Sequence, residues 1–110
     1  MTVTGPTGLS YTVDALVDTG ATFSSLPQEV LDRLRIEPLR TVWLRPADGS
    51  AHEQRVGRAL IALNGAEEVA PIVFGEPDSP PTIGAVTLEV LLLGVDPVGQ
   101  RLVPVQGWRA

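Results

Sequence analysis

The chain has 110 residues, a net charge of −5 and no cysteine. That length makes one domain over residues 1–110, with a modest core that association would reinforce. The acidic balance argues against a nucleic-acid or anionic-membrane partner, which would want a basic face, and the missing thiols exclude a disulfide framework and thiol catalysis. The start has neither a basic n-region nor an apolar h-region, and the longest apolar run, Val86 to Val95, is interrupted by Thr87, Glu89 and Gly94. A soluble, cytoplasmic protein is expected. Arginine is present and lysine absent, which with much Ala, Gly, Pro and Val points to a GC-rich bacterial genome. Ten prolines and eleven glycines cut the chain into short pieces and favour β-structure with many turns.

Taken in order, Thr2 to Ser10 carries Gly5-Pro6 and Thr7-Gly8, so a strand there is short and hairpin-like. Leu9 to Val17 alternates, with Tyr11, Val13, Ala15 and Val17 on one face and Thr12, Asp14 and Leu16 on the other. This predicted strand runs straight into Asp18-Thr19-Gly20-Ala21. An ionised carboxylate beside a core is costly unless something satisfies it. Backbone N–H groups around Thr19 to Ala21 can point back at it, and Gly20 permits the close approach.

From Ser25 a helix is predicted: Ser25 with Gln28 makes a capping box, Pro27 sits in the first turn, and Val30, Leu31 and Leu34 share a face. Glu29 and Arg33 add a favourable i,i+4 pair, and the helix stops before Pro38. Thr41 to Arg45 reads as a strand, residues 46–50 as a turn with the hairpin signal Asp48-Gly49, and His52 to Leu63 as the returning strand. Asn64-Gly65 is a second hairpin turn, joining Arg58–Leu63 to Glu68–Phe74. Residues 75–82 form an exposed loop that cannot be a strand interior. Ile83-Gly84 precedes a short apolar helix, Ala85 to about Leu91, and Leu91 to Val105 reads as a closing hairpin. Gln106 to Ala110 carries no assignment.

The run Ala15-Leu16-Val17-Asp18-Thr19-Gly20-Ala21, followed by small polar residues and Leu26, resembles the active-site loop of the aspartic proteases. The single-copy, retroviral-like (retropepsin-type) branch fits best. Ile83-Gly84 before a helix, about 65 residues downstream, resembles that family's second landmark, with Thr82 in its first apolar position as a departure. The resemblance implies a mostly β fold, a small closed β-barrel with one or two short helices, active as a two-fold dimer and needing no metal or cofactor.

It also implies a chemistry. One ionised carboxylate takes a proton from water as the water attacks a peptide carbonyl, and a second, protonated one donates toward the developing oxyanion. Two like charges so close titrate as a unit. Asp14, Asp32, Asp48, Asp78 and Asp96 all lack the hydroxyl-Gly pair that follows Asp18. The site must then be assembled at a two-fold axis from Asp18 and its symmetry mate, so this reading requires a homodimer. By resemblance, Asp18 is the catalytic acid/base, Thr19 hydrogen-bonds across the axis, and Gly20 and Ala21 complete the active-site loop. Asp48, Gly49 and Ser50 belong to a flap hairpin over an extended peptide or protein substrate. Gly84 lets its segment pass beside the loop. The lone His52 can build neither a metal site nor a Ser-His-Asp triad, and reads as a solvated strand histidine.

Two other readings belong to different classes. One is a protease-fold module without activity, serving dimerisation or peptide binding. The other is a phosphate-binding loop of the actin/sugar-kinase type, whose two large α/β domains 110 residues cannot supply.

Overall fold

In the computed structural model, residues 1–45 and 51–106 are described. The fold is mostly β with two short helices, as expected. β1 (Thr2–Thr4) and β2 (Ser10–Thr12) form the N-terminal hairpin, with Val3 opposite Tyr11. The continuous strand predicted from Leu9 to Val17 is broken. Val13 still exchanges backbone hydrogen bonds with Met1; beyond it the chain leaves the hairpin and resumes as β3 (Leu16–Val17), which pairs elsewhere. The side-chain alternation survives the break: Tyr11, Val13, Ala15 and Val17 are half-buried, while Thr12, Asp14 and Leu16 are exposed. The physical reason is that the two ends serve different cores. Tyr11 and Val13 pack on one hydrophobic cluster, Ala15 and Val17 on a second.

The helix start is also corrected. Residues 24–27 form a strand, β4 (Ser24–Pro27), parallel to β7 (Ala66–Gly75) with Ser24 opposite Ile72. α1 (Gln28–Arg33) begins only after Pro27 and has no side-chain cap hydrogen bond, so Ser25 is not its cap. A four-residue ladder outweighs a cap worth about 1 kcal/mol. The apolar face is as predicted, with Val30, Leu31 and Leu34 buried. The helix ends on Arg35 at φ 61°, where the Arg35 N–H donates to the Asp32 carbonyl and the Ile36 N–H to the Leu31 carbonyl. That pair of bonds is the usual way of satisfying a helix's last carbonyls.

β5 (Arg40–Leu44) and β6 (His52–Leu63) pair antiparallel, from Arg40 opposite Val56 to Leu44 opposite His52. The turn predicted at 46–50 lies outside the described residues. Asn64-Gly65 is the expected two-residue turn, with φ of 51° and 80° and Leu63 opposite Ala66. Positive φ at both positions matches the right-handed twist of the flanking strands. β8 (Thr82–Ile83) and α2 (Ala85–Val90) follow the loop, and β9 (Leu93–Asp96) with β10 (Arg101–Pro104) make the closing hairpin.

The main sheet runs β2-β1-β6-β7-β4-β8-β3, with β5 pairing the start of β6 on the edge opposite β7, where β1 pairs its end; β9 and β10 form a separate two-stranded sheet. Among the described residues no ladder joins the end strands β2 and β3, so the sheet is an open, curled half-barrel where the resemblance implied closure. The chain crosses between the cores at residues 14–15, between Val13 on the first and Ala15 on the second. The first core, around α1, gathers Val3, Leu26, Leu31, Ile61, Ile72 and Phe74. The second, around α2, gathers Ile83, Leu88, Leu91 and Leu93. Among the described residues no helix is long and apolar enough to cross a membrane.

Candidate active site

β3 and β8 are two residues each, too short to persist as an isolated pair. Their position depends on their neighbours. β8 lies between β3, parallel to it, and β4, which it meets antiparallel at Ser25 opposite Thr82. The chain therefore leaves β3, loops over the end of β8 through residues 18–23, and returns on the other side as β4. Asp18 is the first residue of that loop.

The loop is tied to the segment it spans. The Leu16 N–H donates to the Pro81 carbonyl and the Asp18 N–H to the Ile83 carbonyl, both at 2.9 Å. In return the Ala85 N–H reaches the Ala21 carbonyl at 2.8 Å and the Val86 N–H the Thr22 carbonyl at 3.0 Å. Between these bonds Gly84 lies against Phe23, where a Cβ would sit 2.5 Å from the Phe23 carbonyl carbon. Only glycine permits that approach. Beneath it, the Gly84 N–H donates to Ser24 Oγ at 3.0 Å, and Ser24 shares a second hydrogen bond with the Thr87 hydroxyl.

The turn itself closes as the residue types dictate. The Ala21 N–H donates to the Asp18 carbonyl at 3.1 Å, and the Gly20 N–H donates to Asp18 Oδ1 at 2.9 Å. Among the described residues one backbone donor therefore holds the carboxylate, rather than the several that the sequence allowed. A charge-assisted bond of this kind orients a carboxylate more firmly than a neutral pair would. Asp18 and Thr19 are both exposed, and among the described residues no side chain bonds the Thr19 hydroxyl.

Asp18, Gly20 and Ala21 face a cavity of about 590 Å³. Its other walls come from Thr22 and Phe23 of the loop, Leu44 and Arg45 at the end of β5, His52 and Gln54 of β6, and Gly75, Glu76, Ser79 and Thr82 around the 76–81 loop. The β5–β6 hairpin thus borders the same cavity as the Asp18 turn. Asp48, Gly49 and Ser50, expected to form its tip, lie outside the described residues. Ile83 is buried beneath the loop and, with Gly84, does not line the cavity.

Glu76 is the cavity residue that spacing alone does not single out, because it sits in a Pro-rich loop with no motif around it. Among the described residues nothing hydrogen-bonds its carboxylate, in contrast to that of Asp18. Ser24 and Thr87 carry no sequence signal either, since small hydroxyl residues between apolar ones read equally well as surface positions. Among the described residues no three His, Cys, Asp or Glu side chains cluster as metal ligands.

A second hollow, of about 660 Å³, lies against the Thr4–Thr7 turn, residues 35–39 and β6. It is slightly larger, but neither the Asp18 turn nor the 76–81 loop reaches it. Of the two, the smaller cavity is the one onto which the Asp18 turn opens. No curated protein and no solved structure matches the chain. The family described as "gag-polyprotein putative aspartyl protease" matches residues 10–99, a span that holds both the Asp18 turn and Ile83-Gly84. By that match over most of its length, the chain belongs to this family of retroviral-like aspartyl proteases.

Proposed function

We propose that the protein is an aspartic endopeptidase, acting as a homodimer in which Asp18 and its counterpart in a second copy share one proton. The observation that carries this reading is the Asp18 turn. Among the described residues, Asp18 is the one carboxylate of the cavity held by a backbone N–H, on a loop tied by three backbone bonds to residues 83–86. A general base must be oriented before its proton affinity matters, and this one is. A single carboxylate cannot both deprotonate water and protonate the oxyanion, so a second copy supplies the other.

The exposure of Asp18 and Thr19 supports the same assembly. In a lone chain they face solvent; across a two-fold axis the carboxylates meet and the Thr19 hydroxyls exchange hydrogen bonds. Pairing of two copies also completes the walls around the cavity that the half-barrel leaves open. An extended peptide fits between the Asp18 turn and the β5–β6 hairpin, whose strand backbone suits main-chain recognition.

The test is cleavage of a peptide library by the purified chain, with and without pepstatin, together with sedimentation over a range of concentrations. The expected result is a dimer with pepstatin-sensitive cleavage that Asp18→Asn abolishes. A dimer that cleaves nothing at any pH is instead a binding or dimerisation module, and full activity in Asp18→Asn ends the protease reading.

A further inference from the structure

Ser24 and Thr87 are fully enclosed polar side chains, each with no exposed surface, and neither takes part in the chemistry proposed above. A buried hydroxyl is costly unless it is hydrogen-bonded. These two satisfy each other across 63 positions of sequence, and Ser24 Oγ also accepts the Gly84 N–H. The other ties between the Asp18 loop and the 81–87 segment run from backbone to backbone and form whatever the side chains are. The Ser24 bond is different, because it exists only while residue 24 carries a hydroxyl. It also acts at Gly84, which lies so close to the Phe23 backbone that an added Cβ would fall 2.5 Å from it. A shift of Gly84 is therefore transmitted directly into the loop that bears Asp18.

We propose that Ser24 and Thr87 are positioning residues for the Asp18 turn. Thr87, on the buried face of α2, orients the Ser24 hydroxyl; Ser24 holds the Gly84 amide; and Gly84 sets the height of the 18–23 loop above β8. The pair locks the distance between the two segments, so that the carboxylate is presented in one orientation rather than several. The effect on catalysis rests on the peptidase reading, whereas the effect on the loop does not. The two are measured separately.

The experiment uses the full chain and three variants, Ser24→Ala, Thr87→Val and Thr87→Ser, with residue-resolved amide hydrogen exchange and kcat and KM on one peptide. In Ser24→Ala, exchange at Gly84, Ala85 and Val86 accelerates about tenfold or more, while Ile61 and Ile72 of the first core keep their wild-type rates. Thr87→Val acts in the same direction and less strongly, and Thr87→Ser, which keeps the hydroxyl, restores the wild-type pattern. Because the carboxylate is misplaced rather than removed, kcat falls roughly 10- to 100-fold with KM within about twofold. Unchanged exchange at Gly84 to Val86 in both Ser24→Ala and Thr87→Val overturns the proposal. So does equal acceleration in both cores, which marks a general loss of stability, and so does a loosened loop with unaltered kcat. A wild-type chain that cleaves no peptide, with the loop amides responding as described, ends the peptidase reading and leaves the hydroxyl lock standing.

Discussion

The two cores are built by the same device and finished differently. Each centres on a six-residue helix, and each helix runs into a non-glycine residue in the left-handed region, Arg35 at φ 61° after α1 and Leu92 at φ 55° after α2. The first core is sealed: Val3, Leu31, Ile61 and Ile72, from four different elements, have no exposed surface. The second is open at its rim. It is completed by half-buried Ala15, Val17, Leu63, Ala66 and Leu102, and the elements around it leave Leu16, Val90, Leu92 and Val95 exposed. The difference follows from topology. The long β6–β7 ladder backs the first core, whereas β9 and β10 stay outside the main sheet and shield the second from one side only. Burial is more complete in the first, and the Asp18 loop rests on the second.

This division can be broken most directly by Asp18→Asn. The near-isosteric amide touches neither core, so the melting temperature should stay within a degree or two of wild type, while kcat/KM falls about 10²- to 10⁴-fold. Peptide hydrolysis and calorimetry on the same preparation check it. A large loss of stability would mean that the turn supports the fold as well as the chemistry.

Leu31→Ala and Leu91→Ala compare the cores themselves. Leu31 is fully enclosed, so its truncation should cost toward the upper end of about 2–5 kcal/mol. Leu91 is buried in a core whose open rim can collapse or hydrate, and the cost there should sit toward the lower end of the same range of about 2–5 kcal/mol. Activity per folded molecule should show the reverse order, with Leu91→Ala lowering kcat and Leu31→Ala leaving it unchanged. Denaturant titration and active-site-normalised kinetics separate the two effects.

Thr19→Ala sharpens the comparison at the proposed axis. A stranded hydrogen-bond partner costs about 1–3 kcal/mol, and two-fold symmetry applies that loss twice. Sedimentation should show a raised dimer dissociation constant, with folding of the single chain unaffected. An unchanged constant removes Thr19 from the interface.

The smallest effect is expected at the helix ends. Arg35→Gly and Leu92→Gly each relieve a left-handed residue, worth about 1–2 kcal/mol, against the extra backbone entropy of glycine, roughly 0.5–1 kcal/mol. Arg35→Gly should raise the melting temperature slightly. Leu92→Gly should do so less, because it also removes an apolar side chain that is only 48% exposed. A fall in both would mean that these side chains make contacts that offset their backbone strain.

Much of this protein follows from neighbours along the chain. The Asn64-Gly65 turn, the β6 span from His52 to Leu63, the buried face of α1 and the alternation from Tyr11 to Val17 were all legible in the sequence. Each depends on a period of side chains or on the φ that a single residue accepts. The Asp-Thr-Gly-Ala run likewise pointed to the family, because its chemistry requires those residues in consecutive positions. Other features could not be read locally. Ser25 with Gln28 reads as a helix cap, yet Ser24 to Pro27 are a strand, because their ladder partners lie at Ile72 to Gly75, far along the chain. The break between β2 and β3 is invisible to a pattern that stays in phase across it. The insertion of β8 between β3 and β4, the contact of Gly84 with Phe23 and the Ser24–Thr87 pair all join segments about 60 residues apart. Two-residue strands and small hydroxyls have no periodicity of their own, so only the packing of α2 and the ladders around it could decide where they go.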